Sequence, residues 1–228
     1  MRSVLMNGAG LAISVFFVLV VVTGARLLQR AGTWSVRLAR KAIHITLSHW
    51  WLIASAMIDD PWVASAGPAC SLLAASLLPA TGVLPSEESD RQSHDRGTIC
   101  YSAALLILVN LSWRGLIPAR AAAAGVLVLG WGDGLAGLVG ARWGKRGVLI
   151  WGRRKTAYGA TAMFLASFLV TMCVTLLSGP PVSGFPRILA ISSSTAAVAV
   201  ALELLTPFGV DNLTIPLGTA LFFAGAFG

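Results

Sequence analysis

The sequence predicts an all-α protein, a polytopic bundle of about seven or eight transmembrane helices. Three observations predict it. Of the 228 residues, 56% are hydrophobic and only 11% are charged, well below the roughly 25% charged share of soluble domains. Apolar stretches of about 20 residues, long enough to cross a bilayer as helices, recur along the whole chain. Charges and prolines gather between those stretches. No segment large enough for a soluble domain remains, so one integral-membrane domain covers residues 1–228. Its motif-bearing loops are expected near 26–41, 85–98, 142–158 and 207–212.

Eight spans follow in order. The first, near 7–26, comes after Arg2 and has no clear cleavage site, so it reads as a retained helix. The second, 42–58, opens on Arg40-Lys41 and stops at Asp59-Asp60-Pro61. The third, 62–80, is short and contains Pro68 and Pro79, so a re-entrant segment is an alternative. The fourth, 98–113, follows the polar run Asp90–Gly97. The fifth, 119–141, starts after Pro118 and carries a carboxylate and six nearby glycines. The sixth, 159–178, runs to Pro180-Pro181. The seventh, 186–206, lies between Pro186 and Pro207. The last, 212–227, holds Pro216 and is again short enough to be re-entrant. Prolines are expected mostly at span ends and in loops, where a missing N–H does least harm.

The net charge is +8. A nucleic-acid partner is not implied, because basic residues are expected at membrane edges. Thirteen of the seventeen basic residues fall on one side under eight-span alternation: Arg26, Arg30, Arg37, Arg40 and Lys41; Arg91 and Arg96; Arg142, Lys145, Arg146, Arg153, Arg154 and Lys155. That side is assigned to the cytoplasm, and both termini to the exterior. All the acids except Asp59 and Asp60 lie on or near the same side. Loops distant in sequence thus bring carboxylates and cations to one face. A bacterial plasma-membrane enzyme with a charged cytosolic cosubstrate and a bilayer-borne lipid would need that arrangement. Cys70, Cys100 and Cys173 are widely separated in apolar segments and have neither metal-site nor disulfide spacing.

Four motifs carry the chemistry. Gly132-Asp133-Gly134 lies near the end of the fifth span. A carboxylate within a membrane helix costs about 2.5 to 3.5 kcal/mol on insertion scales, so it suggests function by default. Asp133 fits ligation of Mg²⁺ (or Mn²⁺), which takes one or two carboxylates plus substrate phosphate oxygens; the bland alternative is an ion pair with a basic residue. The small-residue stripe Ala136, Gly140 and Gly144 suits helix packing, and permits a homodimer. Lys155-Thr156-x-x-Gly159 opens a helix, where a lysine, a hydroxyl and free N–H groups suit phosphate. Lys145, Arg153 and Arg154 could join it, or could bind anionic lipid. Lys41 and His44 open the second span, with His49 farther along as a packing or interface residue. Glu203 lies within the seventh span, and Asp211-Asn212 either serve the site or cap a helix.

Taken together, the chain resembles the dolichol kinase, phytol kinase and CTP-dependent diacylglycerol kinase family. The matching text is Arg40-Lys41-x-x-His44, Arg96-Gly97-Thr98, Gly132-Asp133-x-x-Ala136-x-x-x-Gly140, Lys155-Thr156-x-x-Gly159, and Glu203 with Asp211-Asn212-Leu213-Thr214-Ile215-Pro216-Leu217. It spans about residues 40 to 217, and the phytol kinase branch is the most similar. The resemblance implies transfer of a phosphoryl group from CTP to a lipid alcohol, either of phytol, polyprenol or dolichol type or a diacylglycerol. It implies Asp133, with Asp211 or Glu203, as the magnesium site. Lys145, Arg153, Arg154 and Lys155 would face the triphosphate, together with Thr156, Gly159, Gly140, Lys41 and Asn212. Asp211, Glu203 and His44 remain open as the base. The cassette is also similar to the end of CDP-diacylglycerol synthases, but Tyr158 stands where those enzymes have an acidic residue. A phosphatidate cytidylyltransferase is therefore the second reading, and a small transporter the non-enzymatic one.

Overall fold

The structure is a computed structural model that describes residues 2–81, 88–177, 184–207 and 209–227. Within these, the side chains of residues 2, 78–81, 88–95, 153 and 227 lie outside the described set. Among the described residues ten α-helices form: α1 (Arg2–Arg30), α2 (Val36–Ser48), α3 (Trp50–Met57), α4 (Pro61–Thr81), α5 (Glu88–Trp113), α6 (Ala119–Val128), α7 (Gly134–Trp143), α8 (Ala157–Leu177), α9 (Phe185–Leu205) and α10 (Asp211–Phe227). A π-helical turn, Leu129–Asp133, joins α6 to α7, and α2 and α3 meet at His49. The helices therefore make eight rods, one for each expected span. Among the described residues, five are both long and apolar enough to cross a membrane: α1, the Arg96–Trp113 part of α5, α6–α7, α8 and α9.

The α6–α7 rod is the centre of the bundle. Of its apolar stretch 67% is buried, against 11–33% in the other four. Lipid tails are as apolar as leucine, so membrane helices gain little by hiding apolar side chains from them. Close backbone approach and dispersion decide the packing instead. On α6, Gly125 lies against the Pro216 carbonyl and Ala220 of α10, leaving no room for a Cβ. In the π turn, Gly132 meets Met163 and Ser167 of α8. On α7, a Cβ at Gly140 would stand 3.0 Å from Thr156 Oγ1 and 3.5 Å from Gly159 Cα. Gly144 also packs on Thr156. The stripe that permitted a homodimer is thus used for packing within one chain.

The π turn sits where the rod changes partners. One residue added to a helix of 3.6 residues per turn swings the following face by about 100°. Opposite it is the break at His49. Trp131 Nε1 donates to His49 Nε2 at 3.3 Å, and the rings meet edge to face at 5.8 Å. The two irregular turns therefore brace each other, in keeping with the packing role expected for His49.

Several local expectations need correction. The third and last rods are each one continuous helix, with no reversal inside them. Pro68 lies inside α4 and Pro216 inside α10. Proline is tolerated there because neighbouring groups in a bundle can re-satisfy the freed carbonyl, and at Pro216 the backbone abuts Gly125. The basic loop after α7 contains a two-stranded antiparallel hairpin, β1 (Val148–Ile150) and β2 (Arg153–Lys155), with Val148 opposite Lys155 and Ile150 opposite Arg153.

Candidate active site

Three glycines of the central rod zip against one stripe of α2. Gly130 meets Ser48, Gly134 meets Ile45, and Gly137 meets Lys41. The spacings of three and four residues on both rods are those of one helix face. A Cβ at position 137 would stand 2.7 Å from Lys41 Cε, so Gly137 leaves the lysine stem its path. That path ends on Asp133. Lys41 Nζ donates to Asp133 Oδ2 at 2.6 Å and to the Asp133 carbonyl at 3.2 Å. His44, one helical turn along α2, holds Nε2 3.7 Å from the same Oδ2. The three side chains are mostly buried, with 17–23% of each exposed.

The imidazole is held from several sides. Its ring lies 5.3 Å from that of Tyr101 on α5, tilted by 56°. The Leu129 carbonyl of the π turn also acts on it. Yet among the described residues neither His44 Nε2 nor the Tyr101 hydroxyl, both buried, has a hydrogen-bond partner. Buried polar atoms are normally paired, and the orphan on His44 lies beside the Asp133 carboxylate.

A second charge pair adjoins the first. Lys155, the last residue of β2, reaches α9, where its ammonium pairs with the Glu203 carboxylate and donates to the Glu203 carbonyl at 2.9 Å. Its charge also acts on Asp133. Thr156 is the N-cap of α8, and its Oγ1 accepts the Gly159 N–H at 3.1 Å. Gly159 in turn packs against the Ala136 carbonyl. This motif therefore seats α8 on α7 and aims Lys155 across the site.

The other expected residues lie at the same end of the bundle in different roles. Asp211 Oδ1 accepts the Gly209 and Asn212 N–H groups, each at 3.0 Å. Asn212 Nδ2 donates to the Gly97 carbonyl at 3.0 Å. A Cβ on Gly209 would stand 3.1 Å from Arg96 Cβ, so the motifs at 96–98 and 209–212 meet although 115 residues separate Gly97 from Asn212. Arg154 donates to the Gly144 and Lys145 carbonyls, closing the end of α7. Lys145 is exposed. The Arg153 side chain, and those of the 90–95 motif, fall outside the described residues. Among the described residues no three His, Cys, Asp or Glu side chains gather as a metal site. A divalent ion here would have to draw on one or two carboxylates and on substrate oxygens.

With this geometry in hand, comparison with known proteins is decisive. Over 209 residues the chain is 39% identical to a phytol kinase of Synechocystis sp., covering 91% of this chain and 87% of that protein. The chain belongs to the phytol kinase family. It is a membrane-embedded kinase of lipid metabolism. No family model matches, and no solved structure does. A kinase needs a nucleotide cosubstrate and an acceptor, here a lipid alcohol. Sequence reading passed over Tyr101. Its one signal was position: it lies three residues after Thr98 of the Arg96-Gly97-Thr98 motif, on the same helix face.

Proposed function

We propose that the chain is a CTP-dependent lipid-alcohol kinase working at the cytoplasmic end of its bundle, with a phytol- or polyprenol-type alcohol as acceptor and diacylglycerol as the other candidate class. The acceptor hydroxyl oxygen forms a bond to the γ-phosphorus, and the bond to the β,γ-bridging oxygen breaks. CDP leaves with that electron pair, and the hydroxyl proton passes to a base. The observation that carries this reading is the convergence of Lys41, His44 and Asp133 beside Lys155 and Glu203.

Each residue has a role. Among the described residues the Lys41 ammonium and the His44 ring both approach the Asp133 carboxylate at Oδ2, and Oδ1 makes no hydrogen bond. A single carboxylate with an open oxygen fits Mg²⁺, which keeps several waters and takes phosphate oxygens. When bound, the ion neutralises charge on the transferring phosphate. Lys155, with Lys145 and Arg153, would face the triphosphate. His44 is the favoured base, because among the described residues its Nε2 makes no hydrogen bond, while Glu203 is held by Lys155 and Asp211 by two backbone N–H groups. Asp211 and Asn212 would then position the turn beside Arg96 and Gly97, leaving the metal to Asp133. Phosphoryl transfer needs mainly positioning and electrostatic stabilisation, which this cluster supplies.

The test is product analysis. Purified protein receives CTP labelled either on the γ-phosphate or on the cytosine, with phytol, polyprenol, diacylglycerol or phosphatidate. The proposal expects γ-label in an alcohol and no cytosine in any lipid. Cytosine in the phosphatidate product would make the enzyme a cytidylyltransferase instead, and transfer from ATP alone would remove CTP from the account.

A further inference from the structure

Beyond placing Lys155 and Arg153, the β1–β2 hairpin takes no part in the proposed transfer site. Its stem is fixed. Arg154 ties it to the end of α7, and Gly147 packs against the Lys155 carbonyl and Thr156. Both flanking rods end here, so the hairpin starts at the edge of the membrane.

Its surface is unlike that of a water-exposed loop. Val148 is 69% exposed and Leu149 73%. Neighbours in a strand point to opposite faces, so neither face of β1 is covered by protein. Trp151 at the tip is 62% exposed, and Trp143 and Tyr158 at the base are 57% and 60% exposed. The two-residue turn Trp151-Gly152 has φ of 51° and 73°. Two-residue hairpin turns favour Asn, Asp or Gly at such positions, whereas a bulky residue with positive φ is a genuine outlier. The chain thus holds a tryptophan in an unfavourable backbone conformation at the most projecting point of an apolar tip. At its base, on either side of Trp143, stand Arg142 and Arg146, both exposed. Aromatic residues with apolar bodies and polar edges belong at membrane interfaces, and clustered basic residues beside a span attract anionic headgroups.

The geometry points to this hairpin as an interfacial anchor: Leu149 and Trp151 dip into the leaflet from which it emerges, and Arg142 and Arg146 at its base hold anionic lipid headgroups. The occupant is the surrounding bilayer itself, selected by charge complementarity to seat β2 and its Lys155.

The experiment uses the full chain in vesicles. Leu149→Cys, and separately Val148→Cys, are placed in a Cys70→Ala, Cys100→Ala, Cys173→Ala background and labelled with an environment-sensitive dye. If that background does not fold, a fluorescent amino acid at position 149 replaces it with the native cysteines kept. Nitroxide lipids labelled near the headgroup, at the roughly 5 to 10 Å depth of interfacial segments, should quench the dye by about half or more without nucleotide, and aqueous iodide should not reach it. Quenching should be stronger in anionic than in neutral vesicles, and Arg142→Gln with Arg146→Gln should remove that preference. A dye open to iodide and blind to the nitroxide lipids overturns the proposal. So does shielding that appears only when CTP is added, which would make the hairpin a nucleotide lid, and so does equal quenching in neutral and anionic vesicles.

Discussion

Removing Lys41 should cost both stability and catalysis, and a second substitution should separate the two. Lys41 Nζ lies 2.6 Å from Asp133 Oδ2, with 23% and 17% of the side chains exposed. At an effective dielectric of about 20, charges at that distance attract by about 6 kcal/mol. Desolvation of both groups offsets much of this, and breaking a buried pair from one side typically costs about 3 to 5 kcal/mol. His44 at 3.7 Å and the charge of Lys155 remain near the stranded carboxylate, so Lys41→Met should cost about 2 to 4 kcal/mol. Asp133→Asn strands the ammonium instead and should cost less, because Lys41 can lean toward solvent. In the double variant neither charge is stranded, and most of the stability should return. Activity should not return, because the carboxylate is gone. The assay is a double-mutant cycle: reversible unfolding in mixed micelles alongside phosphoryl transfer, on all four proteins. A Lys41→Met protein within about 0.5 kcal/mol of wild type would refute the buried-pair reasoning. A double variant as inactive in folding as Lys41→Met would refute the stranded charge as its cause.

Other predictions test neighbouring parts of the site. Tyr101→Phe removes a hydroxyl with no hydrogen bond, so thermal unfolding should shift little or upward; a loss above about 1 kcal/mol would mean the hydroxyl is paired. Gly137→Ala should displace the end of Lys41, leaving the helix content by circular dichroism unchanged but lowering kcat. Gly125→Ala meets the Pro216 backbone and should destabilise by about 1 to 3 kcal/mol, the usual cost of overpacking. Glu203→Gln frees Lys155 from its ionic partner and should change KM for the nucleotide more than KM for the lipid; the reverse pattern would move Lys155 away from the triphosphate. Chelation of divalent ions should stop transfer, and added Mg²⁺ should restore it.

The eight rods were legible because bilayer thickness fixes a length and an apolarity that sequence shows directly. Asp133 was legible because a membrane carboxylate needs a reason. Its partner was not: Lys41 is 92 residues away, and only the antiparallel zip of Gly130, Gly134 and Gly137 on Ser48, Ile45 and Lys41 brings them together. Nor was the π turn, since Leu129-Gly130-Trp131-Gly132-Asp133 has the composition of any glycine-rich helix. Thr156 and Asp211 were read as possible site groups, and the structure spends a hydroxyl and a carboxylate oxygen of theirs on backbone N–H groups. Short polar residues at helix starts serve both purposes, and sequence does not separate them. The hairpin escaped notice because its turn is Trp-Gly instead of Asn-Gly and each strand has only three residues.

The account stands on Asp133 as the residue around which phosphoryl transfer is organised. The direct measurement is transfer of γ-label from CTP to phytol by wild type and by Asp133→Asn, each reconstituted and shown by unfolding to be intact. The account predicts a loss of about a hundredfold or more, the scale of removing one electrostatic group from a transfer site. A folded Asp133→Asn protein that retains activity within about threefold of wild type, a difference worth under 1 kcal/mol, would contradict it.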